Sequence, residues 1–330
     1  MDLSIDYLGL RLKHPIMPGA SPLVDDLDTV RRLEDAGASA IVMHSLFEEQ
    51  VSREGRAALR HMDAHEGMQA EADSYFPSSD VFALGPVAYL ERLGRIRAAV
   101  DVPVIASLNG ATPGGWCEYA ALMQEAGAHA IELNLYALPT DPAEDGASVE
   151  ARLVDVVREV RRVVHVPLAV KLSPFVTSMP SFVRKLDAVG ASGYVLFNRL
   201  YQPDLDPEAL IVKRSLHLSD PSELAARLHF LAIVFGTTRG SLAVTGGVHS
   251  GRDAVKAVMA GARGVQVVSA LLKHGVGRLR VILDEMTRWF EEHEYDKLST
   301  AVGSLSFARC PDPSAYERAN YVQLLQSWHG

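Results

Sequence analysis

Two phrases alternate along the chain, and each contains a short apolar run. The first occurs as AGASAIVMHS at 36–45, AGAHAIELNL at 126–135, VGASGYVLFN at 189–198 and AGARGVQVVS at 260–269. A glycine after an amphipathic stretch stops a helix, and an apolar run of about five residues after it reads as a buried parallel strand. The second phrase places a proline just before an apolar run, where its missing N–H costs least. It occurs as KHPIMPGA at 13–20, VDVPVIASL at 100–108 and VHVPLAVKL at 164–172, with SLAVTGG at 241–247 as a proline-free fourth copy. Between the runs, apolar residues recur at three- and four-residue spacing over 26–36, 86–99, 115–126, 149–163, 180–189, 221–235, 251–260 and 271–292, which predicts helices. Eight strands alternating with eight helices predict parallel strands joined by right-handed crossovers. The fold class expected is α/β, a (β/α)8 TIM barrel whose core layers draw on alternate strands. An open doubly wound sheet is the competing architecture, but no GxGxxG follows the first strand.

Three segments fall outside this pattern. Residues 3–12 alternate around Gly9 and read as a hairpin capping the N-terminal end of the barrel. Insertions are expected at 46–84 and 199–220, each following a strand, on the face where barrel enzymes keep their active sites. The barrel with its insertions is assigned to 1–292, and 293–330 to a helical, aromatic tail that packs on the barrel or on a partner subunit.

Composition narrows the function classes. An apolar share of 48% excludes a disordered chain. With 32 Lys and Arg against 41 Asp and Glu, the net charge of −9 argues against a general nucleic-acid binder. No apolar stretch reaches the ~18–20 residues of a membrane span, and Asp2 and Asp6 stand where a secretory signal would be basic. A cytoplasmic protein is expected. Cys117 and Cys310 are too few for a disulfide framework or a four-thiolate cluster, so redox chemistry here would use a non-covalent organic cofactor. No HxH or HExxH spacing occurs, and no metal is expected.

Polar residues at strand C-termini are the site candidates. They are Ser21; His44 and Ser45; Ser107 and Asn109; Glu132 and Asn134; Lys171 and Ser173; Asn198 and Arg199; Thr245, Gly246 and Gly247; and Ser269. The segments TGGVHSG (245–251) and VVSA (267–270) follow strands seven and eight, the usual phosphate site of such barrels. Lys171 ends an otherwise apolar strand and needs a reason to be buried. It pairs with a core carboxylate such as Glu132, acts as a Schiff-base amine, or holds an electron-rich part of a cofactor. Asn134 and Asn198 carry amides suited to the edge of a planar heterocycle. His44 is a candidate acid, base or ligand.

Taken together, PGAS (18–21), HS (44–45), ELNL (132–135), VKLSP (170–174), FN (197–198), TGGVHSGRDA (245–254) and VVSALLKHG (267–275) resemble the dihydroorotate dehydrogenase family of FMN-dependent barrels, over roughly residues 1–300. The resemblance implies the soluble, dimeric branch, a role in pyrimidine biosynthesis, and an FMN site. Ala20 and Ser21 would approach the flavin through their backbone, Ser45, Asn109 and Asn134 would lie along the ring or ribityl chain, and Lys171 would sit near N1 and O2. Gly246, Gly247, Ser269 and Ala270 would hold the phosphate. Asn134 and Asn198, with Tyr75 from the first insertion, would bind substrate.

The departures from the family are concentrated on the substrate side. The catalytic Cys or Ser of the family falls on Ala137, its following Asn on Pro139, and its second-strand lysine on His44. The substrate-loop pattern has no equivalent in EGMQAEADSYFP (66–77), the residue after the sixth-strand Asn is Arg199, and the phosphate-loop Gly is Val268. The expectation is therefore an FMN oxidoreductase that takes hydride from a small planar or enolisable molecule, with His44, Tyr136 or Tyr75 as proton acceptor and His44 favoured. Electrons would leave to a soluble acceptor or a partner redox protein, from a homodimer. A genuine dihydroorotate dehydrogenase with a displaced base, a non-catalytic flavin-bearing accessory subunit, and a non-redox lysine enzyme are the alternatives.

Overall fold

A computed structural model describes residues 1–51, 85–200, 202–213 and 217–327. All eight anticipated strands form, in the anticipated order. They are β3 (Ile16–Pro18), β4 (Ile41–Val42), β6 (Val104–Asn109), β7 (Ala130–Asn134), β8 (Leu168–Leu172), β9 (Gly193–Leu196), β12 (Ser241–Thr245) and β13 (Gly264–Val267). Around the barrel the order is β3-β13-β12-β9-β8-β7-β6-β4, and every neighbouring pair in it is parallel. At the seam between β3 and β4, the Ser39 amide and hydroxyl both donate to the Ile16 carbonyl, at 3.1 and 2.7 Å. The result is a nearly closed (β/α)8 barrel.

The second strand is not continuous. After β4 the Met43 amide still donates to Ile105 O at 2.8 Å, the chain leaves the ladder at residues 44 and 45, and it then pairs with β6 again as β5 (Leu46–Phe47), with Leu46 opposite Leu108 and Phe47 opposite Asn109. Residues 46 and 47 thus belong to the sheet, and His44 and Ser45 sit in the break. The second insertion carries an antiparallel hairpin of β10 (Asp204–Asp206) and β11 (Ile211–Lys213).

The helices follow their sequence signals closely. Asp26 caps α1 (Leu27–Asp35) through the Thr29 amide, and Asp145 caps α4 (Gly146–Val163) through that of Ser148. Between these lie α2 (Pro86–Ala99) and α3 (Tyr119–Glu125), and α5 (Met179–Ala188) and α6 (Leu224–Val234) follow. A capping box of Ser250 and Asp253 opens α7 (Gly251–Ala260), which stops at Gly261. The long helix expected over 271–292 is two. Gly275, at φ +80°, ends α8 (Ser269–His274), and α9 (Arg278–Glu292) begins three residues later.

The N-terminal hairpin of β1 (Ile5–Tyr7) and β2 (Leu10–Leu12) plugs the bottom of the barrel. The Tyr7 ring lies against Gly264, where a Cβ would stand 3.2 Å from it, and Leu8 fills the space left by Gly193. The Leu8 amide donates to Ser241 Oγ at 3.0 Å. The tail packs on its own barrel through α10 (Leu298–Ala301), buried at Leu298 and Ala301, and through Phe307 N–H donating to Ala232 O. Beyond it, α11 (Ala319–Ser327) leaves Tyr321, Leu324 and Leu325 exposed. Among the described residues no helix is long and apolar enough to cross a membrane.

Gly251 sits where α7 meets α9, directly after the TGG loop. A Cβ there would collide with the Glu285 Cβ and the Met286 backbone, and the Gly251 amide donates to Glu285 Oε2 at 2.7 Å. Gly251→Ala is expected to destabilise the fold by about 2–3 kcal/mol, read as a lower urea midpoint.

Candidate active site

Period-two alternation sends Ser107, Glu132, Asn134, Lys171 and Gln266 into the upper barrel, where all five are buried. Register stacks them in layers. Asn109 lies opposite Asn134 and Asn134 opposite Lys171, while Ser107 lies opposite Glu132 one layer down. Lys171 Nζ donates to Glu132 Oε1 at 3.1 Å, with side chains 9% and 1% exposed, and Gln266 Nε2 donates to the other carboxylate oxygen. Of the three readings of Lys171, the ion pair with Glu132 is therefore present. Below it, burial and the Glu132 charge push the Tyr7 hydroxyl well above the ordinary phenol range, so Tyr7 stays protonated.

Beside and above Glu132, Ser45 from the break in the second strand, Ser107 from β6 and Asn134 from β7 form one cluster. Ser45 Oγ lies 2.7 Å from Ser107 Oγ, and Asn134 Nδ2 donates to both hydroxyls, at 2.6 and 3.3 Å. Tyr89, from α2, braces the cluster by donating to Ser107 O and accepting from Ser107 N. Both protons of Asn198 Nδ2 are used on backbone carbonyls, those of Lys171 at 3.1 Å and Leu135 at 3.3 Å. Asn134 and Asn198 are thus each left with only a carbonyl oxygen to offer. Ser21 Oγ, Asn134 Oδ1 and Gln266 Oε1 are buried without a hydrogen-bond partner among the described residues.

His44 stands at the break in the second strand, about a third exposed, and its Nδ1 donates to Asp25 Oδ2 at 3.3 Å. Arg92 holds the other carboxylate oxygen of Asp25 at 2.7 Å. Tyr136 and Ala137 are half-buried just beyond β7, and Ala20 is half-buried after β3. Asn109 is half-buried, its side chain without a hydrogen bond to the other described residues. Tyr75 lies outside the described residues.

The TGG turn follows β12. Gly246 and Gly247 both have positive φ, +86° and +80°. A Cβ on Gly247 would stand 2.6 Å from the Leu224 amide nitrogen, and one on Gly246 would meet the Arg227 guanidinium at 2.8 Å. Arg227 Nε in turn donates to Thr245 O at 2.6 Å. Only glycine fits both positions. Ser269 and Ala270, at the start of α8, are buried beside this turn. Ser219, from the second insertion, joins the two loops: its Oγ accepts from Gly247 N–H at 3.1 Å and lies 2.8 Å from Ser269 Oγ.

Six contributors were missed in the sequence, among them Tyr89 and Arg227, whose roles show only once α2 and α6 pack against the strand ends. Gln266 carried a signal, a polar residue at inward parity within an apolar strand. Asp25, Arg92 and Ser219 carried none, because their partners come from other elements tens of residues away.

Comparison with known proteins agrees with this geometry. A family model described as dihydroorotate dehydrogenase matches residues 2–290. A protein of Aeropyrum pernix bearing the name dihydroorotate dehydrogenase A (fumarate) is 28% identical over 313 residues, spanning 92% of this chain and 97% of that protein. Proteins of Thermoplasma acidophilum and Halalkalibacterium halodurans, each named dihydroorotate dehydrogenase B (NAD(+)), catalytic subunit, are 26% identical over 92% and 91% of this chain and 98% and 97% of their own lengths. A family match that runs from the N-terminal hairpin into the last barrel helix means that the chain belongs to the dihydroorotate dehydrogenase family.

Proposed function

We propose that the protein is an FMN-dependent oxidoreductase that removes two hydrogens from adjacent carbons of a small, planar or enolisable substrate. The observation that carries this reading is the set of unpartnered polar atoms in the upper barrel, Ser21 Oγ, Asn134 Oδ1 and Gln266 Oε1. A buried unsatisfied group costs about 1–3 kcal/mol, and a fold keeps three of them where a polar ligand pairs them. Their chemistry, with the Lys171 ammonium at the level of Asn109 and Asn134, fits a planar heterocycle with an electron-rich edge. FMN, when bound, supplies the two-electron acceptor.

In this reading Ser21, Ser45, Asn109, Asn134 and Lys171 hold the ring system, with the backbone of Ala20 alongside. Gly246, Gly247, Ser269 and Ala270 surround the phosphate. Lys171 stabilises developing negative charge, while Glu132 and Gln266 fix its ammonium in place. Ala137 cannot take a proton, so that role passes to His44. Its Nδ1–H is committed to Asp25, which leaves Nε2 with a lone pair for the substrate proton, and Arg92 anchors Asp25. Tyr136 and Tyr75 are the other candidates for that role. A second reading is that the substrate is dihydroorotate itself. It is favoured by the names of the relatives and by Asn198, whose free carbonyl oxygen suits a ring N–H.

Three outcomes test this. Purified protein is expected to show flavin absorption bands, and protein that is colourless and stays so with added FMN overturns the cofactor. Lys171→Met is expected to destabilise the fold by about 3–5 kcal/mol in urea unfolding by leaving Glu132 buried and unpaired, and adding Glu132→Gln is expected to recover most of the loss. His44→Gln is expected to lower turnover about 10²–10⁴-fold while flavin content is unchanged. The assay is steady-state turnover of dihydroorotate with several electron acceptors. No turnover by the wild type together with no orotate binding rejects the second reading and leaves the first.

A further inference from the structure

We infer that Ser219 is a positioning residue that makes the Ser269 hydroxyl an obligate hydrogen-bond donor, so that the site beside the TGG turn selects a fully ionised oxyanion. The inference rests on the reading of that site as the phosphate end of the FMN pocket. It adds a residue that no strand-end argument reaches, since Ser219 comes from the insertion after β9.

A serine hydroxyl has one proton to donate and two lone pairs to accept with. Ser219 Oγ accepts the Gly247 N–H at 3.1 Å and lies 2.8 Å from Ser269 Oγ. The Ser219 amide also donates to Ser269 Oγ, at 3.0 Å. Burial decides which hydroxyl donates to the other. Ser219 is 1% exposed, and among the described residues its hydroxyl has no acceptor other than Ser269 Oγ. If Ser269 donated to Ser219, the Ser219 proton would be buried without a partner, a cost the opposite direction avoids. Ser219 therefore donates. Ser269 Oγ then receives two hydrogen bonds, both its lone pairs are filled, and its own proton is all it has left to offer. At 7% exposure Ser269 is the more open of the two.

The relay is held from behind. The Ser219 carbonyl accepts from His249 Nε2 at 2.8 Å and from Lys273 Nζ at 3.4 Å, so its backbone is fixed between the two loops. The next residue, Asp220, accepts from the Ser222 amide at 2.8 Å and starts the turn into α6, whose Arg227 holds the Thr245 carbonyl. The hydrogen bonds run in one sense, from Gly247 N–H to Ser219 to Ser269 and outward, and each link polarises the next. Two consequences follow. The Gly247 amide is spent inside the protein and serves the ligand only through this relay. Ser269 has no lone pair left for a ligand hydroxyl, so a group that only accepts is preferred to one that must also donate.

The test titrates full-length protein with FMN and with riboflavin by quenching of flavin fluorescence. The ratio of the two affinities is the readout, because damage to the fold lowers both together. Ser219→Ala is expected to weaken FMN about five-fold while riboflavin stays within about two-fold, the loss of one hydrogen bond's worth of orientation. Ser269→Ala is expected to lower the ratio at least as far, and the double variant no further than Ser269→Ala alone, since the two side chains act in series. A ratio unchanged in Ser219→Ala overturns the inference, as do additive losses in the double variant. Tighter FMN binding in Ser219→Ala also overturns it, since Ser219 would then be competing with the phosphate. Wild-type protein that binds neither flavin overturns the FMN reading itself.

Discussion

A lysine and a glutamate lie side by side inside the barrel, and much of the surrounding architecture serves that pair. Neither charge is tolerable alone in a β-barrel core, and the pair is tolerable only with its remaining hydrogen-bonding capacity occupied. Gln266 takes the second oxygen of Glu132 from the far side. Below, the barrel is sealed by Tyr7 and Leu8, which enter through the gaps left by Gly264 and Gly193. The seal has a direct consequence: water reaches the pair from the strand C-termini and not from the hairpin side. Of the two charges, the Lys171 ammonium is the one nearer the mouth, level with Asn134 and more exposed than Glu132.

That dependence explains what was legible in the sequence. The alternating phrases gave away all eight strands because each run is bounded by a glycine or a proline that fixes one of its ends. The Lys171–Glu132 pair was legible as well, since a charged residue at inward parity in an apolar strand demands a partner at the same parity. The break at 44–45 was not. His44 and Ser45 contain no breaker, and the departure from the ladder shows only in the pairing of β5 with β6. The split of α8 from α9 had its signal in Gly275 and Gly277, but apolar spacing on both sides masked it. Asp25 and Ser219 were beyond reach because each acts on a residue brought near only by closure of the barrel, Ser269 being fifty positions from Ser219.

The broken strand also bears on how a site of this kind can change its proton acceptor. A residue in a regular strand is committed by its parity to the core or to the helix layer. Residues 44 and 45 have left the ladder, so the imidazole of His44 is free to lean toward the α1 side and meet Asp25. Arg92, from α2, then closes a His–Asp–Arg sequence that draws on three separate parts of the fold. In the proposed chemistry Ala137 takes no proton, and the role moves along the mouth to His44, two strands away in the barrel order and already oriented by a carboxylate, with Tyr136 beyond β7 as the other described candidate. The ring-binding cluster of Ser45, Ser107 and Asn134 is left as it was.

The hydrogen-bond sense of the mouth is not uniform, and in the proposed reading the difference orients the ligand. On the β7–β9 side, Asn134 spends its amide protons on Ser45 and Ser107, and Asn198 spends its own on two carbonyls, so both present oxygen. On the β12–β13 side, Ser269 has its lone pairs filled by Ser219 and presents a proton. A ligand with N–H groups at one end and an oxyanion at the other satisfies both walls in one orientation; reversed, it faces acceptor with acceptor and donor with donor. Each mismatch leaves two buried groups unpaired, a heavier penalty than the gain of any single hydrogen bond. In the proposed reading, orientation is set by groups that have one kind of hydrogen-bonding capacity already committed inside the protein and the other left to offer, so the residues that commit them matter as much as those that touch the ligand.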